Sequence, residues 1–325
     1  MASELRPDAA GAPRGEVQAS AGAGAPEPGA AKKVRAAALS VISNSALILL
    51  KVVAGTLTGS VAILTEAVHS SIDLVASMVA LFSVRKAGEP ADESHRYGHE
   101  KIENLSAAIE GVLILVGSSA IAFEAIRHLV RGGQVRIVGL GIAVAGVSMA
   151  VNIVVSGVIA ENAQLTDSPA LAADAAHLRT DAMTSGGVLV GLVLVALTGQ
   201  QWIDAAVALT IAAGIVVTGV RLLAGSGRVL VDEALPADEV AAIRRAVEEL
   251  GPRGVVGYHE LRTRRAGSRR YVDLHVQFRA GTSLEEAHRT AHELEDRRQS
   301  ARRRCPDPSR AAGPGPARAG DKCSA

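Results

Sequence analysis

Two histidine–aspartate pairs with identical spacing lie inside segments that are otherwise apolar. His69 and Asp73 fall within EAVHSSIDLV, and His177 and Asp181 fall within AADAAHLRTDAM. Residues four apart share one face of a helix. If the two helices face each other, two imidazoles and two carboxylates meet as a tetrahedral ligand set that suits Zn²⁺. A single pair could be a helix–helix hydrogen bond, but two pairs at the same spacing indicate a shared metal site.

Six apolar segments, each long enough to cross a bilayer, contain and surround these pairs. Of the 325 residues 48% are hydrophobic, and the long apolar runs fill positions 35 to 225. The predicted spans are Val34–Leu57, Ser60–Val84, Leu105–Val130, Val138–Ala160, Leu171–Leu197 and Ile203–Leu223. We expect the fifth helix to begin about one turn earlier, which would move His177 and Asp181 deeper. An ionisable group at the bilayer centre costs at least about 2.5–3.5 kcal/mol, so these pairs need a functional reason.

The distribution of basic residues predicts the orientation of the spans. With both termini inside, the inner side carries Lys32, Lys33, Arg35, Arg85, Lys86, Arg96, Lys101, Arg221 and Arg228. The outer side carries only Arg127, Arg131 and Arg136, around one loop. We therefore expect a multi-pass protein of the cell's inner or plasma membrane with both termini in the cytoplasm.

The polar C-terminal sequence predicts a small α+β module. LPADEVAAIRRAVEELG reads as an amphipathic helix, and two β-rich runs joined by an AGS turn follow it. Ser283 and Glu286 then form a capping box at the start of a second helix. A two-stranded sheet is marginal alone, so a third strand is expected, but the sequence contains no candidate.

Four regions follow from these elements. Residues 1–33 form a disordered tail, residues 34–231 a six-helix membrane domain, residues 232–298 the α+β module, and residues 299–325 a second disordered tail. The predicted fold class is an α-helical membrane protein with a cytoplasmic α-β-β-α domain.

Composition argues against several other function classes. The net charge of +1 and an aromatic content of 2% do not favour a nucleic-acid binder. The spacing of Cys305 and Cys323 matches neither a zinc site nor a disulfide framework, so both are expected to be free thiols. The chain has neither GxxxxGK[ST] nor a DKTG-like phosphorylation motif. We therefore expect a transporter driven by an ion gradient rather than an enzyme.

Several motifs together resemble the cation diffusion facilitator family. NSALILLKVVAGTLTGSVAILTEAVHSSID is similar to its first two helices, PADESHRYGHEKIENL to the following loop, and AAHLRTDAMTS to its fifth helix. VDEALP, HELRTRRAGSRRYVDLHVQF and EEAHRTAHELE are similar to its cytoplasmic domain. The resemblance covers about residues 34–298. It implies efflux of divalent metal from the cytoplasm by a homodimer.

The resemblance also assigns residues to three metal sites. The transport site would comprise His69, Asp73, His177 and Asp181; the loop site Asp92, His95 and His99; the cytoplasmic site His259, His275 and His288, with metal bound between protomers. The loop could alternatively be a solvated, pH-sensitive segment. Lys101 and Asp232 match a charge interlock between the two domains, with two solvated charges as the alternative.

Four further polar residues are kept outside these ligand sets. Glu66 and Asp174 are interpreted as proton-path or helix-interface carboxylates, or as groups with no transport role. His128 is interpreted as an interface or surface residue, and His292 as an exposed helix histidine.

The chemistry of the transport site predicts metal/proton exchange. Metal binding requires neutral imidazole and ionised carboxylate, so Zn²⁺ expels protons from the site. Histidine at position 69 is associated in the family with zinc preference, while Co²⁺, Ni²⁺ and Fe²⁺ suit the same ligands. A metal-binding regulatory protein that no longer transports and a passive cation channel are the alternatives.

The end of the chain departs from the resemblance. Relatives add a final strand with a His-x-Asp metal pair, whereas this chain has no histidine after His292. A reading-frame shift, a truncated gene or a lineage variant would each produce such a tail.

Overall fold

Six long helices dominate the computed structural model, which describes residues 29–58, 61–131, 139–200 and 202–304. They are α1 (Ala30–Thr58), α2 (Val61–Ala87), α3 (Lys101–Arg131), α4 (Gly139–Thr166), α5 (Pro169–Thr198) and α6 (Trp202–Leu230). All six are long and apolar enough to cross a membrane. Large apolar side chains on their outer faces are exposed, as Phe82, Phe123 and Leu197 illustrate. Such faces suit contact with lipid.

Helix α5 begins two residues before the predicted span, less than the expected full turn. Ser168 caps it, because its Oγ accepts a hydrogen bond from the amide of Leu171 at 3.3 Å. Pro169 occupies the first turn, where its missing N–H costs nothing. Gly199 ends the helix in the left-handed conformation, with φ of 71°.

The membrane helices form two groups that meet at α5. Helices α1 and α2 pack together, α4 and α5 pack together, and α1 also contacts α4. Helices α3 and α6 form a second pair, and α5 contacts all five other helices. A Cβ at Gly111 of α3 would lie 3.1 Å from the backbone of Leu223 on α6, so glycine permits this close approach.

The C-terminal module comprises α7 (Ala237–Glu248), a short 3₁₀ turn (Gly251–Arg253), β1 (Val255–Ala266), β2 (Arg269–Phe278) and α8 (Leu284–Arg304). The two strands are antiparallel, and they are the only strands among the described residues. The capping box at α8 is confirmed: Ser283 Oγ accepts from the amide of Glu286 at 3.2 Å, and Glu286 Oε2 accepts from the amide of Ser283 at 3.3 Å. Val247, Leu250 and Val255 form its small buried core.

The two predicted tails fall mostly outside the described residues. Residues 1–28 and 305–325, the latter with Cys305 and Cys323, are not among them. Within the described part, α1 starts at Ala30 and α8 continues to Arg304, so helical structure extends a few residues into both predicted tails.

The β1–β2 hairpin tip docks onto the membrane helices. The amide of Gly267 donates to Asn104 Oδ1 on α3 at 2.7 Å. A Cβ at Gly267 would lie 2.7 Å from the carbonyl oxygen of Glu100, and its φ is 52°, so this contact requires glycine. On β2, Arg270 pairs with Asp167 at 2.8 Å, directly before α5. The tip therefore joins the starts of α3 and α5.

Arg270 is the best-satisfied charge at this junction. It also pairs with Glu239 of α7 at 2.5 Å, and its side chain is 16% exposed. Burial alone would lower the pKa of Arg270, but hydrogen bonds to Glu239 and Asp167 outweigh burial and raise that pKa. The guanidinium is therefore charged at every pH at which the protein folds.

We predict that Arg270→Ala lowers the unfolding free energy by roughly 1.5–3 kcal/mol, because two carboxylates lose a charged hydrogen-bond partner. Thermal unfolding of the detergent-purified chain measures this loss. Arg289→Ala, at an exposed position on α8, is the matched control and should change little. Equal melting temperatures for the two variants would contradict the assignment.

Candidate metal-transport site

The predicted transport residues of α2 and α5 converge between the two helices. His177 Nε2 lies 3.4 Å from Asp73 Oδ1 and 3.9 Å from Asp181 Oδ2. One donor atom from each of the three residues lies within 4.8 Å of the others. Asp73 and His177 are buried and Asp181 is half-buried. Neither ring nitrogen of His177 makes a well-formed hydrogen bond with a described residue, and Nε2 faces both carboxylates.

The fourth predicted ligand, His69, precedes Asp73 by four residues on α2. The backbone therefore puts it on the same helical face, one turn away. Its side chain lies outside the described residues. The geometry thus brings together three of the four predicted donors and leaves the fourth as a prediction.

A small polar cavity of about 50 Å³ adjoins Asp73 and Asp181. Besides these carboxylates, side chains of α1, α2, α4 and α5 line it: Asn44, Leu47, Lys51, Glu66, Ser70, Ser148, Asn152, Thr184 and Ser185. Ser148 Oγ and Asn152 Oδ1 are buried without a hydrogen-bond partner among the described residues. Helix α4 therefore supplies polar atoms to the cavity that the sequence interpretation did not identify.

Glu66 and Asp174 have partners of their own. Glu66 pairs with Lys51 at 3.0 Å, and Lys51 also donates to Ser70 Oγ at 2.8 Å. Asp174 is fully buried, and its Oδ1 accepts hydrogen bonds from Ser40 at 2.9 Å and Ser77 at 3.4 Å. These contacts agree with the interpretation that neither carboxylate belongs to the ligand set.

The loop between α2 and α3 gathers a second set of donors. Asp92 Oδ2 lies 3.3 Å from His99 Nε2, and Asp92 Oδ1 lies 3.2 Å from His95 Nδ1. The amides of Ser94 and His95 also donate to Asp92 Oδ1. The hydrogen bond from the backbone N–H of His95 is the largest cause of the lowered pKa of Asp92. All three predicted loop ligands are thus within 4.8 Å of one another, around an ionised carboxylate.

Comparison with known proteins identifies the family. Residues 37–231 match the family described as "Cation efflux transmembrane domain", and residues 235–302 match "Cation efflux protein, cytoplasmic domain". The chain belongs to the cation efflux, or cation diffusion facilitator, family. Its members are transporters, so the chain is a multi-pass membrane transporter of divalent cations and not an enzyme.

Relatives match along most of both chains. A transporter of Synechocystis sp. is 33% identical over 259 residues, which cover 80% of this chain and 83% of the relative. The cation-efflux pump FieF of Yersinia enterocolitica is 35% identical over 270 residues, 83% of this chain and 89% of that protein. FieF of Serratia proteamaculans matches with the same identity and coverage. The predicted family and fold class are therefore confirmed.

The cytoplasmic domain brings together only part of the predicted third site. His259 and His275 face each other across the strands, with ring centroids 4.9 Å apart. His288 instead contacts His292, with their Nε2 atoms 3.2 Å apart. Within one chain, therefore, His288 does not join the other two, because α8 holds it beside its own neighbour. His128, at the far end of α3, pairs with Glu124 at 3.4 Å and is half-buried.

The predicted charge pair between the domains is present. Lys101 Nζ lies 2.8 Å from Asp232 Oδ1, and Arg264 approaches the same oxygen at 3.4 Å. The Lys101 hydrogen bond is the largest cause that lowers the pKa of Asp232. Arg264 lies between the rings of Tyr97 and Tyr271, at 4.9 and 4.8 Å from their centroids. The pair therefore belongs to a contact between the α2–α3 loop and the cytoplasmic domain.

Two buried glutamates of α3 were missed by the sequence interpretation. Glu103 accepts hydrogen bonds from Lys33 Nζ at 2.8 Å and Ser168 Oγ at 2.5 Å, and Glu110 is fully buried. A spacing of seven residues puts both on one face of α3. That spacing, inside an apolar span, was the signal that could have found them.

We predict that Asp73→Asn weakens zinc binding at the buried site by more than about 100-fold. Loss of an outer-shell partner alone costs roughly 10–100-fold in metal affinity, and a direct ligand costs at least as much. Equilibrium dialysis of the purified chain against zinc measures the number of tight sites. Glu161→Gln, an exposed carboxylate on α4, is the control. Retention of every tight site in Asp73→Asn would exclude this residue as a ligand.

We predict a small, pH-dependent contribution from the Lys101–Asp232 pair. Both side chains are more than one-third exposed, so Lys101→Met should cost less than about 1 kcal/mol at pH 7. In the folded protein the pKa of Asp232 lies below its ordinary value of 3.8, so the pair contributes fully to stability above pH 3.8. That contribution is lost as the pH falls through the lowered pKa of the folded protein. The difference in melting temperature between wild type and variant should therefore shrink at pH 3. A difference that grows on acidification would contradict the pairing.

Proposed function

We propose that the protein exports Zn²⁺ from the cytoplasm in exchange for protons. The observation that carries this proposal is the convergence of Asp73, His177 and Asp181 between α2 and α5, with His69 one turn from Asp73. Three donors within 4.8 Å of one another, two of them buried and one half-buried, are suited to one metal ion.

Zinc fits the proposed ligand set better than a hard cation. Two imidazole nitrogens and two carboxylate oxygens are typical of tetrahedral Zn²⁺, whereas Ca²⁺ and Mg²⁺ prefer oxygen alone. Two aspartates also neutralise the dication, which lowers the cost of holding it away from water. Co²⁺, Ni²⁺ and Fe²⁺ accept the same donors, so they are the competing substrates in the test below.

Protons are the proposed counter-ions because the ligands can hold either species. Imidazole titrates in the physiological range, and a metal ion can bind only its neutral form. A site that opens alternately to each side therefore loses protons when it takes up metal and regains them after release. The buried Asp174 lies one turn before His177 on α5, and it accepts a hydrogen bond from Ser40. Its carboxylate is a candidate path for those protons.

The remaining assignments extend this proposal. We place both termini in the cytoplasm and the protein in the inner or plasma membrane, with residues 34–231 as membrane domain and 232–298 as cytoplasmic domain. The match to the family's cytoplasmic domain supports a homodimer. The loop residues Asp92, His95 and His99 would bind a second metal ion beside the Lys101–Asp232 interlock.

We predict that proteoliposomes with an acidic interior take up external zinc faster than empty liposomes. Collapse of the pH gradient with an ionophore should slow that uptake, because outward proton movement drives it. A zinc-sensitive dye inside the vesicles measures the rate, and parallel assays with Co²⁺, Ni²⁺ and Fe²⁺ define selectivity.

The control for this assay is Asp73→Asn, which should match empty liposomes. Uptake by wild type at the rate of empty liposomes would overturn the transport proposal. Uptake that is indifferent to the pH gradient would indicate a passive channel instead.

A further inference from the structure

We propose that Glu260 completes a metal site with His259 and His275 inside a single protomer. This cluster, called here the bulge site, lies on strands β1 and β2 of the cytoplasmic domain. The family resemblance assigned His259 and His275 to a site shared between protomers and did not include Glu260. The inference concerns the cytoplasmic domain alone and does not depend on the transport mechanism.

The two histidines already share one face of the hairpin. His259 and His275 are direct partners in the antiparallel register, and their rings meet edge to face with centroids 4.9 Å apart. Side chains directly opposite in adjacent strands are near neighbours. The hairpin alone therefore presents two imidazoles side by side, but a third ligand requires a departure from regular strand geometry.

That departure is a bulge in β1. On a regular strand, residues 259 and 260 would point to opposite faces. Here the register shifts between His259 and Arg262, so that β1 has one residue more than β2 over this stretch. The shift turns the Glu260 carboxylate toward the histidines: its Oε2 lies 3.8 Å from His275 Nε2. Donor atoms of all three side chains then lie within 4.8 Å of one another.

The backbone of Glu260 is strained. Its φ is 53°, in the left-handed region that L-residues with a Cβ seldom occupy. The ion pairs that Glu260 forms with Arg262 at 3.9 Å and His275 at 3.8 Å are exposed and long. Exposed pairs of this kind contribute little to stability and do not offset the strain. Strained residues of this type cluster at binding sites, where a ligand stabilises them.

The ligand class follows from the donors. Two imidazole nitrogens and one carboxylate oxygen with an open fourth position suit Zn²⁺ or a similar borderline divalent cation. All three residues are exposed, so the site exchanges metal directly with the surrounding solution. A bound ion would tie β1 to β2 within the hairpin whose tip contacts Asn104 and Asp167 of the membrane domain.

The test counts zinc ions bound by the full-length chain in detergent, with Glu260→Gln as the first variant. Glutamine keeps the size of the side chain and removes the charged ligand, so we expect one zinc equivalent fewer than in wild type. Glu248→Gln, an exposed carboxylate at the end of α7, is the matched control and should bind as many ions as wild type.

A second variant, Glu260→Gly, separates strain from metal binding. Glycine adopts positive φ readily. The melting temperature of Glu260→Gly without metal should therefore be no lower than that of wild type and up to roughly 2–4 °C higher. With zinc, wild type should gain stability from the bulge site and Glu260→Gly should lack that gain. A lower melting temperature without metal would show that Glu260 is a structural residue and overturn the proposal.

His288→Gln distinguishes the bulge site from the site that the family resemblance implies. If the bulge site is complete within one chain, His288→Gln keeps the zinc equivalent that Glu260→Gln loses. If His288→Gln removes that equivalent and Glu260→Gln retains it, the ligands come from the family arrangement and the proposal is wrong.

Discussion

Every ionisable group within the membrane helices must find a partner, because hydrocarbon solvates none of them. The structure meets this constraint by grouping such residues. Asp73, His177 and Asp181 face one another, and Lys51 pairs with Glu66. Serines of α1 and α2 surround the buried Asp174, and these bonds satisfy one of its two oxygens. In the cluster at His177, both ring nitrogens lack well-formed hydrogen bonds with described residues. That deficit is what a metal ion or protons would relieve.

Helix α5 connects this cluster to the rest of the protein. It contacts every other membrane helix, and its start is fixed by Ser168, whose hydroxyl also bonds Glu103 of α3. The preceding residue, Asp167, pairs with Arg270 of the cytoplasmic hairpin. The hairpin therefore contacts the start of the helix that carries His177 and Asp181. The same hairpin bears the proposed bulge site, so one short element lies between that site and α5.

Prediction from the sequence succeeded where the signal was local. The six spans, the hairpin turn at Gly267, and the Ser283–Glu286 capping box depend on residues close in the chain. The loop ligands fall in one short segment, so their convergence also followed from proximity. Glu103 and Glu110 were missed because hydropathy averages conceal single charges in a long apolar helix. Glu260 was missed because regular strand alternation puts adjacent residues on opposite faces, and no local sequence pattern predicts the bulge that brings it beside His275.

By itself the sequence determined the family, the number of apolar helices among the described residues and the residue types of the candidate transport site, since composition and spacing are properties of the chain. Tertiary structure decided which donors meet. His177 approaches Asp73 only because α2 and α5 pack together, and His288 lies beside His292 on α8 rather than in the strand pair His259–His275. Side-chain proximity between separate elements depends on helix packing and strand register, and neither is encoded in any single segment.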